Sequence, residues 1–198
     1  YNVCMQFIGR LDSWALNFVQ STQADFPTKI LKIITTLGEW WVVLVITAII
    51  SVFLIIKRKN IHTFILWLVV LGTTADTFIL KTIIHRQRPF DGIINETSFS
   101  FPSAHSALSV ALYGFITYLF WQRAKNRLTK SGILAGGIVI AALIGFSRLY
   151  LGAHYLSDVL GGYILGAFWL ALGIYILRCR TSKLPDVRHR RDKPQNES

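Results

Sequence analysis

Ile61-His-Thr-Phe-Ile-Leu-Trp-Leu-Val-Val-Leu-Gly-Thr-Thr-Ala-Asp-Thr-Phe-Ile-Leu-Lys81-Thr-Ile-Ile-His-Arg-Gln-Arg88-Pro89 decides the fold of this chain. From Ile61 to Leu80 the single full charge is Asp76. About 20 apolar residues at a helical rise of ~1.5 Å cross a hydrocarbon layer of ~30 Å. Lys81, Arg86 and Arg88 then crowd the end of the run. Runs of this kind recur, and we expect spans at about 36–57, 61–85, 103–122, 132–149 and 154–178. The fold class is therefore all-α, a polytopic transmembrane helix bundle. The chain of 198 residues is 53% hydrophobic with mean hydropathy +0.46, and only 16% of it is charged. Composition of this kind occurs in soluble domains too; the bilayer-length spacing of the runs is the firmer sign.

The formal charge of +11 would fit nucleic acid, but the positions of the cations exclude that partner. They cluster at Lys57-Arg58-Lys59, from Arg123 to Lys130, and from Arg178 to Lys193, each time after an apolar run. That is the pattern of cytoplasmic loops in a bilayer protein, and the tail is placed to meet anionic headgroups. The 86–102 and 147–153 segments then lie on the opposite face, and Tyr1 lies outside. Because the sequence opens on Tyr1 and shows no leader, a further hydrophobic segment upstream is expected, as a sixth span or a cleaved leader.

Before the first span, Phe7, Leu11, Trp14 and Phe18 recur at helical spacing among polar residues. A helix lying in the interface or capping the bundle is expected there. Trp40, Trp41, Tyr118 and Trp121 fit interfacial belts or bundle packing equally well. Asp76 is expected to pair or hydrogen-bond inside the bundle, with Thr73 or a neighbouring helix. Cys4 and Cys179 fall on opposite sides, so no disulfide is expected between them.

Three segments at span ends carry the chemistry. Lys81 and Arg88 are seven apart, two turns on a helix, which would set them on one face about 10 Å apart. Pro89 biases Arg88 away from helix, so the span should stop there. Ser103 is a good N-cap, and a helix start collects anions through its free N–H groups. His105 stands in that first turn. His154 and Asp158 are four apart, so the carboxylate can fix one imidazole nitrogen and present the other as nucleophile. Arg148 is out of helical phase with His154, and Gly152 can supply the turn that brings it round. Each segment alone also has a plain explanation: snorkelling cations, an ordinary cap, a surface His-Asp pair. All three fall on one predicted face, however, while the other face has only basic loops. Lys, Arg, two imidazoles and a carboxylate together make the inventory of a phosphate-transfer site. The histidines His62, His85, His105, His154 and His189 show no HExxH or clustered spacing, so neither metal nor cofactor is expected.

These segments resemble the signature of the type 2 phosphatidic acid phosphatase (PAP2) superfamily, the integral-membrane lipid phosphatases. Its pattern is Lys-x6-Arg-Pro, then Pro-Ser-Gly-His, then Ser-Arg-x5-His-x3-Asp. The chain carries Lys81-x6-Arg88-Pro89, Pro102-Ser103-Ala104-His105, and Ser147-Arg148-x5-His154-x3-Asp158. Ala104 replaces the usual glycine, which would be costly only if that residue needed a positive φ, and it is expected to be tolerated at a helix start. The resemblance implies that His154 is the nucleophile forming a phosphohistidine, that Asp158 orients it, and that His105 is the acid and then the base. It implies a phosphoryl group held by Lys81, Arg88, Ser103, Ala104 and Arg148, without a metal. Residues 1–37 would be an amphipathic extracytoplasmic segment, 38–178 the transmembrane phosphatase core and 179–198 a basic cytoplasmic tail, in one domain overall. The expected partners are the bilayer and a membrane lipid phosphate: phosphatidylglycerophosphate, phosphatidic acid or undecaprenyl pyrophosphate. The expected place is the plasma (inner) membrane, with the site on the extracytoplasmic side. A phosphotransferase of the same family, a vanadate haloperoxidase (a soluble class, opposed by the spans) and a non-catalytic transporter or structural bundle are the alternatives.

Overall fold

The computed structural model describes residues 2–90, 92–94 and 96–181, without the side chains of residues 2–5 and 181. Cys4, Asp91, Asn95 and most of the basic tail thus fall outside the described residues and side chains. The elements in chain order are α1 (Asn2–Ser21), α2 (Asp25–Thr36), α3 (Trp40–Ile56), α4 (Asn60–Ile84), α5 (Ala104–Leu108), a π turn (Ser109–Tyr113), α6 (Gly114–Arg123), α7 (Arg127–Tyr150) and α8 (Leu156–Thr181).

Four spans match the sequence expectation: α4, the composite 104–123 helix, α7 and α8 are each long and apolar enough to cross a membrane. The expected span at 36–57 needs qualification. Alone, α3 has 17 residues, and only together with α2, across a 49° bend, does it pass as a fifth span. The expected loops also shrink. Arg127 and Lys130 sit in the first turn of α7, where the side chain of Asn126 caps Thr129 N at 2.7 Å. The core is a band of Val43, Leu54, Ile65, Leu66, Val69, Leu112 and Phe115, contributed by α3, α4, the π turn and α6, closed by Leu177 of α8. Around it Ile49, Val52, Phe64, Phe78, Ile83, Ile164 and Phe168 point outward, the surface that a lipid-facing bundle presents. Trp40 and Trp41 face outward as belt residues would, whereas Tyr118 is packed inside. Asp76 accepts a hydrogen bond from the indole N–H of Trp169 at 2.9 Å, so its partner is on α8 rather than Thr73. Cys179, on the last turns of α8, is exposed.

α8 and the 104–113 segment meet closely enough that side chains are excluded. A Cβ on Gly162 would lie 2.5 Å from Ser103 O, and one on Gly166 would lie 2.2 Å from Ala107 O. This spacing of small residues lets two helix backbones touch, as membrane helices often do. It brings the Pro-Ser-Ala-His segment against the helix that carries Asp158, where Ser103 N donates to the Asp158 carbonyl at 3.0 Å.

α1 and α2 lie at the same end of the bundle. α1 buries Asp12, Ala15 and Val19 against the ends of α7 and α8 and turns Phe7, Leu11, Trp14 and Phe18 outward. It therefore caps the bundle with one face and offers an apolar stripe on the neighbouring one. The turn into α2 is tied down by Tyr150, whose hydroxyl accepts from Ala24 N at 3.0 Å.

Candidate active site

The Lys81 and Arg88 segment does not work by helical phase. α4 ends at Ile84 because His85 takes a left-handed conformation, φ 50°, and caps it through Lys81 O. The chain leaves the helix four residues before Pro89 can act. Arg88 therefore returns to Lys81 through a turn, not along a shared face. Lys81 Nζ donates to the Phe99 carbonyl, and Arg88 is fixed by Ser98 O at 2.6 Å and Ala153 O at 2.7 Å.

α7 ends in a Schellman arrangement. Gly152, φ 70°, supplies the left-handed residue, Ala153 N donates to Arg148 O at 3.0 Å and Gly152 N to Leu149 O at 3.1 Å. This is the turn expected of Gly152, and it carries the chain from Arg148 to His154. His154 itself precedes α8, so it is not on the helical face that the spacing suggests. Asp158, in the first turn of α8, still reaches back. Its Oδ2 lies 3.5 Å from His154 Nδ1 and accepts from Tyr155 N at 2.9 Å, half of a capping box. Ser100 Oγ also donates to Oδ2.

His154 Nε2 is 3.1 Å from an N–H of Arg88. A guanidinium cannot accept, so Nε2 is the lone-pair nitrogen and the ring proton resides on Nδ1, toward Asp158. The imidazole is buried, 1% exposed, and burial lowers its pKa to about 4; Asp158 opposes the fall and Arg88 adds to it. At neutral pH it is thus an uncharged base.

His105 follows Ser103 and Ala104 at the start of α5. Ala104 is not among the residues with positive φ, so its Cβ costs nothing in conformation. Ser103 is a cap: its hydroxyl, fully buried, accepts from Ser106 Oγ at 3.1 Å and more loosely from Ser106 N at 3.4 Å. On the far side of His105 stands Glu39, Oε1 3.3 Å from Nε2, at the bend between α2 and α3. Gly38 makes that approach possible, since a Cβ there would lie 2.8 Å from the His105 ring.

A cavity of about 460 Å³ opens among these groups, lined by Lys81, Arg88, Ala104, His105, His154 and Glu96, with Glu39, Gly38 and Trp40 at the bend. Arg148, Ser103 and Asp158 stand behind that lining. Arg148, with no exposed surface, donates to Thr35 Oγ1 at 3.0 Å and to Glu96. Glu96 also pairs with Arg88 at 2.6 Å. Burial alone would raise the pKa of Glu96, but Arg148 and Arg88 together hold it down at about 2. One carboxylate thus bridges the two guanidinium groups expected to hold a phosphoryl group. Among the described residues no group of three His, Cys, Asp or Glu side chains is placed to hold a metal ion.

Spacing thus located Lys81, Arg88, His105, Arg148, His154 and Asp158, which the fold brings together. It missed Glu39, Asp12, Arg86, Ser100 and Thr35 and gave Glu96 no role. These partners come from distant elements or irregular segments, and no periodicity marks them.

Comparison with known proteins finds relatives of this chain. A family model described as the PAP2 superfamily matches residues 40–182. The chain is 39% identical over 150 residues to phosphatidylglycerophosphatase B of Bacillus subtilis, covering 71% of each chain. It is 28% identical over 148 residues to an undecaprenyl-diphosphatase of Sulfolobus acidocaldarius, covering 70% of this chain and 65% of that one. Its fold matches the crystal structure of a transmembrane PAP2 type phosphatidylglycerolphosphate phosphatase from Bacillus subtilis with TM-score 0.80 and 28% identity, over 90% of this chain and 88% of that chain.

Proposed function

Because this chain belongs to the PAP2 superfamily, a family of membrane lipid phosphatases, we propose that it hydrolyses the phosphomonoester or pyrophosphate of a membrane lipid through a phosphohistidine on His154. The substrate is phosphatidylglycerophosphate, phosphatidic acid or undecaprenyl pyrophosphate. The observation that carries this is the state of His154: Nδ1 faces Asp158, while Nε2, an acceptor flanked by Arg88, faces a cavity shared with Lys81 and His105.

In the first step Nε2 attacks phosphorus, the bond to the leaving oxygen breaks, and His105 gives that oxygen a proton. Asp158 offsets the positive charge that the ring acquires. In the second step His105 takes a proton from water, which attacks phosphorus and breaks the P–N bond. Lys81, Arg88 and Arg148 meet the charge on the phosphoryl oxygens, so these fixed cations supply what a metal would. Ser103 and the start of α5 place the amides beside His105.

Residues 38–178 form the phosphatase core, with 1–37 on its outer side and 179–198 as a cytoplasmic tail. The plasma membrane is the location proposed, and the distribution of charge supports an extracytoplasmic site. The end of the bundle away from the cavity carries Lys57, Arg58, Lys59, Arg123, Lys125, Arg127 and Lys130. The headgroup then enters from the boundary while the lipid chain stays in the bilayer. The test is phosphate release by the purified chain in detergent from each of these lipids, with EDTA present. Release that persists in EDTA supports this function; no release from any of them contradicts it.

Glu96 has a defined part in binding. Ionised at working pH, it occupies both guanidinium groups until a phosphoryl group displaces it. Glu96→Gln is therefore expected to tighten inhibition by inorganic phosphate or orthovanadate roughly tenfold, as removal of a like charge from an anion site should. Unchanged or weaker inhibition in that variant contradicts this part.

A further inference from the structure

Arg86 is one of the unspecified positions of Lys81-x6-Arg88-Pro89 and does not line the cavity, yet it sits directly on the carboxylate behind His154. Its Nη1 donates to Asp158 Oδ1 at 2.7 Å and to Ser157 Oγ at 2.6 Å, and its Nη2 donates to Asp12 Oδ2 at 2.6 Å. The guanidinium lies over the Tyr155 ring, 4.5 Å from its centre. Asp12 comes from α1. It accepts in addition from Ser157 N at 2.9 Å and Ser157 Oγ at 2.7 Å. Both carboxylates are buried, Asp12 at 2% and Asp158 at 0% exposure. One guanidinium thus bridges two buried acids from opposite ends of the sequence.

A helix that merely capped the bundle would not need this. Ala15 and Val19 already bury apolar surface on the same side of α1, and a buried carboxylate is costly unless paired. The planar fork of arginine suits two carboxylates at once, which a lysine cannot match.

We propose that Asp12 and Arg86 are positioning residues for phosphoryl transfer: Arg86 holds the Asp158 carboxylate where it meets His154, and Asp12 holds Arg86 and offsets its charge. This rests on the phosphatase function above. Without Asp12 the Asp158 carboxylate alone must neutralise Arg86, and it offsets less of the positive charge that His154 gains on attack. The cost therefore falls on turnover, whereas substrate affinity, set by Lys81, Arg88 and Arg148, is spared. α1, with Phe7, Leu11, Trp14 and Phe18 turned outward, is in this way joined to the nucleophile's own carboxylate.

The experiment uses the purified full chain in detergent, with phosphate release from short-chain phosphatidic acid, phosphatidylglycerophosphate and undecaprenyl pyrophosphate. Wild type is compared with Asp12→Asn, Arg86→Lys, Arg86→Gln and the double variant Asp12→Asn/Arg86→Gln, and thermal unfolding is followed by tryptophan fluorescence. Asp12→Asn and Arg86→Lys are each expected to lower kcat about tenfold with KM within about twofold, the scale on which groups orienting a functional imidazole act. The double variant is expected to be no slower than Arg86→Gln, because residues acting as a unit are not additive. Wild-type kcat in Asp12→Asn, a loss confined to KM, or multiplying effects in the double variant overturns the proposal alone. If Asp12→Asn unfolds, Arg86→Lys decides: a fall in kcat at constant KM supports the proposal, and an unchanged kcat overturns it. A wild-type protein inactive on all three lipids overturns the phosphatase function first, and the proposal with it.

Discussion

His154→Ala is expected to lower phosphate release by at least about 10⁴-fold, the scale seen when a nucleophile acting within a coupled group is removed. In the proposed mechanism no other side chain lining the cavity, among the described residues, has the role of nucleophile. In that mechanism His105, held by α5 and facing Glu39, serves the leaving oxygen and the water. Lys81 and Arg88 are cations engaged with backbone carbonyls of the 98–99 segment. Lipid binding should survive, since Lys81, Arg88 and Arg148 remain, and a binding assay separates that from the loss of turnover. A variant keeping a tenth or more of wild-type turnover would remove His154 from the reaction and favour a bundle whose buried charges only line a path.

His105→Ala is expected to cost about 10²- to 10⁴-fold with a lipid substrate, the range of general acid–base contributions. The loss should depend on the leaving group. An alkoxide leaves poorly without a proton, whereas the phenolate of an aryl phosphate needs little help. With an aryl phosphate the first step should therefore proceed in His105→Ala while hydrolysis of the P–N bond lags, because no base activates the water. Phosphoenzyme should accumulate in this variant and not in wild type. Equal losses for both substrates, with no accumulation, would mean that His105 only shapes the cavity.

What the sequence shows and what it hides divide along a physical line. Bilayer-length apolar runs fix α4, α7 and α8 because a membrane span needs both length and apolarity. α3 is only 17 residues long, and its partner α2 meets it across a bend that composition does not reveal. The motif spacings point to Lys81, Arg88, His105, Arg148, His154 and Asp158, which the fold brings together, yet two geometric expectations failed in detail. The first assumed that Lys81 and Arg88 share a helix, but His85 ends α4 early by taking φ 50°, a conformation that residue type alone does not signal. The second set His154 on the helix with Asp158; it lies in the turn before α8, and a capping interaction brings the carboxylate back to it. Gly152 behaved as expected because a left-handed turn is a strong constraint that glycine satisfies at little cost. Asp12, Glu39 and Glu96 were illegible for a different reason. Each pairs across tens of residues of sequence, and a single carboxylate on an amphipathic or irregular segment looks the same whether it is solvated or paired.

The central claim is tested most directly by mixing the purified chain with ³²P-labelled lipid phosphate in EDTA, quenching in alkali within the first turnover, and mapping the label. The account predicts acid-labile, alkali-stable label on the peptide containing His154, formed and lost at rates that match phosphate release, and absent from His154→Ala. Phosphate released with no labelled protein at any time, or label on another residue, would contradict it.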